Sequence, residues 1–341
     1  MRLYNRIHWL TIVLLALLIS TGCSLFGGKE ALQPAIEPPE DIAVESMDKS
    51  VWEEIIQTAA AGPSISLSMY FKDPNGYVVP VKMSFPDTES PAKEMLHYMT
   101  QGGPGEAQLP AGFTGLLPQG TEVLGMDINK GLATVDFSKQ FLEYDPADER
   151  RILEAVTWAL TGFPTIDQVV IRVEGRSLTE MPANGTPLDV PLTRSMGINL
   201  ESLGTARPTA SMPVTVYYLN RTSSQQPYYV PVTRLVERSD NKTMALLEQL
   251  IKGPSAMTGL MPVIDEHVEV LSLEEKEGLV TINFSKEFTG TNDAAPMEAV
   301  QTVVLSLTDH LPADTQVQIL VEGKSYDQPV TRPVHVNEIS M

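Results

Sequence analysis

The sequence contains one cysteine, Cys23, in 341 residues. A single thiol cannot form an intrachain disulfide, and zinc or iron–sulfur sites built from cysteines are excluded. Basic residues are also scarce, with 24 Lys and Arg against 43 Asp and Glu, for a formal net charge of −19. An acidic chain is repelled by phosphate backbones and anionic lipid headgroups. We therefore expect packed cores to provide the stability, and we expect no nucleic-acid partner.

Long apolar runs are missing as well. The apolar stretch at residues 7–19 is shorter than the roughly 20 residues that a transmembrane helix needs. Arg2 and Arg6 precede it and small residues follow it, which is typical of a cleaved secretory signal, here residues 1–22. Cys23 stands where a lipoprotein signal places its diacylglycerol acceptor. We expect Cys23 to be lipidated and to anchor an exported chain to the membrane; the alternative is an ordinary signal beside an incidental cysteine.

Signatures of common catalytic sites are absent too. The sequence has no Gly-x-Ser-x-Gly elbow, no His-Glu-x-x-His and no Walker loop. The four histidines after the leader, none at metal-ligand spacing from another, are His97, His267, His310 and His335. We therefore predict no catalytic residue, no metal and no cofactor, and we do not expect an enzyme. An envelope hydrolase is the least favoured of the functions considered.

What the sequence does contain is a repeat. Val79-Pro80-Val81 recurs as Val230-Pro231-Val232, the segment 131–141 recurs at 278–288, and Thr193-Arg194 recurs as Thr331-Arg332. The matches keep the same order along the chain, and the long period makes each copy a domain.

The predicted organisation follows from these landmarks. It comprises a signal peptide at 1–22, an acidic, proline-containing tether at 23–61, a first domain at 62–200, a linker at 201–212 and a second domain at 213–341.

The periodicity of each copy predicts the element order β-β-α-β-β-α-β. Alternating apolar residues such as Ile65 and Leu67 indicate half-buried strands. Ser90-Pro91 is typical of a helix start, and Gly102 and Gly253 are typical of positions that follow a helix end. Each predicted helix has one apolar stripe; that of the second helix is Ile152, Ala155, Val156, Ala159 and Leu160. We therefore predict an α+β fold in which each copy is a two-layer sandwich, with both helices on one face of a mixed sheet.

Comparing the copies also tests polar residues for function. Asp136 corresponds to Asn283, so an essential ionisable group there would leave only one working domain. Arg194 and Arg332 are the most notable polar pair, because both follow threonine after the last strand of an acidic domain. They are candidate interaction residues, toward a partner or the neighbouring domain; a local salt bridge is the alternative.

Several segments together resemble a known family. These are Gly76 to Pro80, Gln101 to Pro104, Asp136 to Phe141 and Val214 to Tyr218, following a lipoprotein-type signal and an acidic spacer. In their order they resemble the GerM-like sporulation and germination lipoproteins of endospore-forming Gram-positive bacteria, which carry two tandem GerMN domains.

The resemblance implies a fold similar to the ring-building motif of secretion-system components. It also implies a place in the space between the mother-cell and forespore membranes. There the protein would support assembly or placement of the complex that joins the two cells, with that complex as its partner and self-association as a further possibility.

A second class of function stays open from the residues themselves. A peptidoglycan-binding module that assists a cell-wall hydrolase would need exposed aromatic side chains along a groove. The tyrosines that the sequence offers for this purpose are Tyr217, Tyr218, Tyr228 and Tyr229. Because alternate residues of a strand point inward, about half of them are expected to be buried.

Overall fold

The computed structural model describes residues 63–201, 210–292, 296–312 and 314–339. The predicted signal peptide, Cys23, the whole tether and most of the predicted linker lie outside the described residues. Across the described ranges, no helix is long and apolar enough to cross a membrane.

The first repeat follows the predicted order of elements. Its strands and helices are β1 (Ser64–Lys72), β2 (Val78–Pro86), α1 (Pro91–Tyr98), β3 (Val123–Asn129), β4 (Gly131–Phe137), α2 (Glu149–Leu160), β5 (Ile166–Val173) and β6 (Arg176–Ser177). The second repeat has β7 (Ser211–Arg221), β8 (Pro227–Glu237), α3 (Lys242–Lys252), β9 (Val270–Lys276), β10 (Leu279–Phe284), α4 (Met297–Thr308), β11 (Gln316–Val321), β12 (Lys324–Ser325) and β13 (Val330–Thr331). Short 3₁₀ turns lie at Glu106–Gln108, Lys139–Leu142, Pro146–Asp148, Arg194–Met196 and Lys286–Asn292.

Each repeat contains a mixed sheet. In the first, β4 pairs antiparallel with β3 and parallel with β5, and β6 pairs antiparallel with β5. In the second, β10 is antiparallel to β9 and parallel to β11, which also pairs with β12 and β13. The predicted α+β class with two tandem repeats is confirmed.

The leading hairpin of each repeat forms a separate two-stranded sheet, β1 with β2 and β7 with β8. Helix α2 contacts β1 and β2 as well as β5 of the mixed sheet. Its predicted stripe is buried, and so are Leu153 and Trp158 outside the stripe. The hairpin therefore covers a second side of the helix, which explains why this helix is apolar on more than one face.

The ends of the helices match the sequence signals only in part. Pro91 is the first residue of α1, as predicted. Ser90 occupies the N-cap position, but its side chain makes no capping hydrogen bond, so that part of the prediction is wrong. Helix α1 also stops at Tyr98, before Gly102, because Met99 and Thr100 already turn toward the following segment. In the second repeat Gly253 caps α3 with a positive φ of 74°, as predicted.

The two repeats contact each other through β2 and β8, each of which contains the proline of the Val-Pro-Val segment. A proline has no N–H, so it interrupts a ladder of backbone hydrogen bonds on the side of its strand to which that N–H would point, here the side away from its hairpin partner. The side chains of two asparagines provide hydrogen bonds across the junction instead. Asn199 accepts from the Val78 N–H at 2.8 Å and donates to the carbonyls of Val78 and Pro231 at 2.8 and 2.7 Å.

Asn337 makes the corresponding set from the second repeat. It accepts from the Tyr229 N–H at 2.7 Å and donates to the carbonyls of Tyr229 and Pro80, each at 2.8 Å. Each asparagine thus joins the hairpin of its own repeat to that of the other repeat. We call this reciprocal bonding, which has pseudo-twofold symmetry, the exchange between the repeats. The buried apolar residues of both repeats form one continuous core.

The Asn337 amide should stabilise both repeats together. Asn337→Ala leaves the Tyr229 N–H and two carbonyls without partners, and each buried group left unpaired costs about 1–3 kcal/mol. We expect urea denaturation, followed by circular dichroism, to remain a single transition with a free energy of unfolding lower by about 2–4 kcal/mol. Asn129→Ala, at an exposed strand end, is the matched control. A loss no larger than the control's, or two separate transitions in the parent chain, would contradict the exchange.

Candidate interaction groove between the repeats

Arg194 holds the end of helix α2. Its Nε donates to Thr161 Oγ1 at 2.9 Å and its Nη2 to the Trp158 carbonyl at 3.4 Å. The guanidinium also lies 5.8 Å from the centre of the Trp158 ring. Within the described part of the chain it has no carboxylate partner and no hydrogen bond from Nη1. Arg194 therefore keeps unused donors on its guanidinium.

Arg332 does the same for helix α4, in a more enclosed setting. Its Nη1 donates to the Leu305 carbonyl at 2.9 Å and to Thr308 Oγ1 at 3.3 Å. Its Nη2 lies 2.9 Å from the Tyr217 hydroxyl and 3.4 Å from Asp309 Oδ1. Burial alone lowers the pKa of this guanidinium, but Tyr217 and Asp309 outweigh burial and raise it. The local ion pair considered from the sequence is therefore present at Arg332.

Both arginines line one groove between the repeats, with a volume of about 570 Å³. The first repeat contributes residues 66–70 of β1, the end of α2 and the segment just after it. The second contributes the end of α4 and the tail at 332–336. The two interaction candidates are brought together because equivalent parts of two pseudo-symmetric repeats meet there. Pockets at such junctions are common sites of ligand binding.

The paired position Asp136 and Asn283 has a structural use. Asp136 accepts from the Gly175 N–H at 2.9 Å, and Asn283 Oδ1 accepts from the Gly323 N–H at 2.9 Å. Both side chains bind the tight turn that follows the central parallel strand. A carboxylate and an amide oxygen serve equally well as acceptors, which explains why the two repeats differ there.

The residues that follow this position are also structural. Ser138 Oγ and Ser285 Oγ each accept from a backbone N–H, of Glu122 and Glu269 respectively, at 3.0 Å. The phenylalanine pairs are buried and stacked, with ring centres 4.3 Å apart for Phe137 and Phe141 and 4.4 Å apart for Phe284 and Phe288. These four phenylalanines therefore anchor the core.

The histidines lie apart from one another. His267 contacts Asp265 at 2.7 Å on the surface, and His335 Nδ1 lies 3.2 Å from Ser68 Oγ in the groove. Burial lowers the pKa of His310 and of His335. Over the residues that the structure describes, no three His, Cys, Asp or Glu side chains are placed to hold a metal ion.

The tyrosines proposed for wall binding are mostly inaccessible. Tyr217, Tyr218 and Tyr228 are buried, and only Tyr229 is partly exposed. Tyr228 instead donates to Asp73 at 2.9 Å across the interface between the repeats, and Tyr218 donates to the Gln249 carbonyl at 2.9 Å. These four positions therefore do not form an aromatic groove.

Two polar features of the structure were not predicted from the sequence. One is the asparagine pair, whose signal was its equal spacing after Thr193-Arg194 and Thr331-Arg332. The other is Glu149, which is fully buried and accepts from Tyr144 Oη, from Thr186 Oγ1 and from the backbone N–H groups of Ala183, Asn184 and Thr186. It fixes the loop after β6, at the start of the chain that leads to Arg194.

The geometry defines a class: a tandem-repeat α+β protein whose repeats share one core and enclose an arginine-lined groove. The sequence profile of the Germane family, described as "Sporulation and spore germination", matches residues 68–179 and 215–327. The chain belongs to this family.

The chain is 38% identical to the spore germination protein GerM of Bacillus subtilis (strain 168), and the match covers 94% of each chain. The solved tandem GerMN domains of the sporulation protein GerM from Bacillus subtilis are similar at a TM-score of 0.76 and 40% identity. That match covers 82% of this chain and all of the solved one. The resemblance to the GerM-like proteins is thereby confirmed.

The Glu149 carboxylate should make stability pH-dependent. Burial raises its pKa, but the hydrogen bonds from Thr186, Asn184 and Tyr144 outweigh burial and hold it at about 2, below its ordinary 4.5. A lowered folded-state pKa gives stability that is present above pH 4.5 and lost as the pH falls toward 2. We expect Glu149→Gln to lose roughly 2–3 kcal/mol at pH 7 in urea denaturation, and the difference from the parent to shrink between pH 5 and pH 3.

Glu143→Gln removes an exposed carboxylate from the preceding turn and is the matched control. An unchanged difference between Glu149→Gln and the parent across that pH range would show that the carboxylate is not held ionised by this loop.

Proposed function

We propose that this protein is a non-catalytic, lipid-anchored envelope protein of sporulation and germination. In this role it supports assembly or placement of the complex that joins mother cell and forespore. It would act at the extracytoplasmic face, in the space between the two membranes. Its partners would be the membrane, through the lipid, and subunits of the envelope complex, with self-association as a second route to assembly.

The observation that carries this proposal is the reciprocal docking of the repeats. Asn199 and Asn337 each bond both hairpins, and the apolar core is continuous across the junction. Such an arrangement fixes the relative orientation of two similar but non-identical surfaces. A fixed pair of surfaces suits a protein that positions other subunits at defined angles.

The use of the polar residues supports a non-catalytic role. Asp136, Ser138 and their counterparts bind backbone groups, and Arg332 closes a helix end. Glu149 is ionised but surrounded by its own loop, so it has no free face for a substrate. Each of these groups makes hydrogen bonds that hold the fold together, which is the use expected of structural residues.

Membrane attachment can be tested at its proposed acceptor. In cells that express the full chain, Cys23→Ala should move the protein from the membrane fraction to the soluble fraction, because the thioether that carries the lipid cannot form. Metabolic labelling with a clickable fatty acid should mark the parent and not the variant. Ser24→Ala, which leaves the thiol in place, is the control. Continued membrane retention of unlabelled Cys23→Ala protein would show that the anchor is something other than a lipid.

The assembly role predicts specific partners. The full chain, purified in detergent from sporulating cells after mild cross-linking, should retain subunits of the forespore envelope complex. Asn337→Ala should retain fewer of them, because it loosens the relative orientation of the two surfaces. Sedimentation with purified peptidoglycan tests the other class of function. Binding to peptidoglycan without recovery of envelope subunits would replace the assembly proposal with a wall-binding one.

A further inference from the structure

The outer edge of β1 differs from the equivalent edge of β7, and the difference opens into the groove. Tyr70 and Tyr217 are equivalent, because each pairs with the proline of its own hairpin, Pro80 and Pro231. Both proline carbonyls accept from asparagines that lie on the side away from the tyrosine. In an antiparallel ladder this places the N–H of each tyrosine on the outer edge of its strand.

Over the ranges that the structure describes, only one of these two N–H groups has a hydrogen-bond partner. The Tyr217 N–H donates to Ser306 Oγ of α4 at 2.9 Å. Arg194 and Arg332 bond equivalent positions of α2 and α4, the carbonyls of Trp158 and Leu305, so the next residue, Ala159, corresponds to Ser306. Alanine has no acceptor, and in the described part of the chain the N–H of the buried Tyr70 makes no hydrogen bond. A buried unpaired N–H is rare in proteins and indicates an unfilled requirement for an acceptor.

The same edge continues with two more outward residues. Ser68 pairs with Lys82, whose N–H points away from β1 toward the Asn337 carbonyl, and Ser66 follows in the same alternation. Ser66 and Ser68 therefore present a row of outward N–H and C=O groups on an edge that ends at the buried Tyr70 in the groove. Such a row is a template for an added strand.

Arg194 supplies a charged contact beside this row. Its Nη1 is unused within the described residues, while Arg332 is balanced by Asp309. The carbonyls at the ends of α2 and α4 reduce the positive potential further. The groove therefore fits one carboxylate, and a strongly acidic ligand would be repelled by a chain of net charge −19.

We infer that this groove binds an extended segment of a partner protein, which adds as a strand to β1 and places one carboxylate against Arg194. The identification of the occupant as a protein segment rests on the proposed assembly function. The walls suit such a segment, because Leu67, Leu311 and Pro333 provide apolar contacts for the side chains that flank the carboxylate.

The test is fluorescence polarisation with the full chain in detergent. The probes are labelled peptides of alternating threonine and valine with a single glutamate placed at successive positions. We expect at least one probe to bind below about 1 mM, and its affinity to fall roughly tenfold or more when alternate backbone nitrogens are methylated. That methylation removes the strand hydrogen bonds and keeps the carboxylate. Equal binding of the methylated peptide, or no binding by any probe, would overturn the inference.

Variants locate the site. Arg194→Ala should weaken the glutamate probe roughly tenfold, and its glutamine counterpart by no more than about twofold, because only the glutamate pairs with Arg194. Arg172→Ala, an exposed arginine on the outer face of the first sheet, is the matched control. Equal losses for both peptides would assign Arg194 to folding alone and contradict the proposed contact.

Two further variants act on the strand edge. Ser66→Pro removes an outward N–H and leaves the β1–β2 ladder intact, so it should abolish binding of every probe while unfolding stays cooperative. Ala159→Ser copies the second repeat and gives the Tyr70 N–H an internal acceptor, which should weaken binding several-fold without loss of stability. Full binding by both variants would exclude the edge of β1.

The readout separates this inference from the assembly role. If the probes bind but no envelope subunits are recovered from cells, the groove stands and the assembly proposal fails. If subunits are recovered equally by Ser66→Pro and the parent, and no probe binds, assembly uses another surface. Displacement of a bound probe by soluble muropeptides, or by a rising concentration of the chain itself, would replace the partner segment by the cell wall or by a second copy.

Discussion

The contact between the two hairpins depends on a conflict between proline and the β-ladder. Pro80 and Pro231 lie in the strands that face each other, where a missing N–H prevents regular pairing across the junction. Asparagine resolves the conflict because its side chain has both an acceptor and two donors, like a peptide group. Asn199 and Asn337 each arrive on the tail of one repeat and satisfy backbone groups of both. The continuous core and the groove both follow from this exchange.

The exchange also explains why the repeats have diverged in some places and not in others. Positions that bind backbone groups keep their hydrogen-bonding capacity, as Asp136 and Asn283 do, while their charge changes. Positions that face the junction between the repeats differ in whether their side chain can form a hydrogen bond at all. Ala159 and Ser306 lie at equivalent points of two helices, and only Ser306 binds the neighbouring strand. Divergence of this second kind produces a surface on one repeat that the other lacks.

Much of the fold could be predicted from the sequence because it rests on local periodicity. The repeat and the element order follow from spacing, and the structure agrees with them. The helix ends were less predictable. Ser90 precedes a proline as a capping residue would, yet its side chain makes no cap, because whether a cap forms depends on the backbone angles that tertiary packing imposes.

The groove was harder to predict from the sequence than the fold, for a different reason. Arg194 and Arg332 stood out by their repetition, but their convergence requires knowing that the tail of each repeat also bonds the hairpin of the other. The Tyr70 N–H lacks a partner in the described part of the chain because Ala159 has no hydroxyl, and a single alanine on a helix carries no signal of its own. The comparison that reveals it needs both repeats aligned in space: among the described residues, the Tyr217 N–H has a hydrogen-bond partner and the Tyr70 N–H has none. A duplicated domain thus provides its own reference: where the fold demands a partner in one copy, its absence in the other marks a position that is free to bind something else.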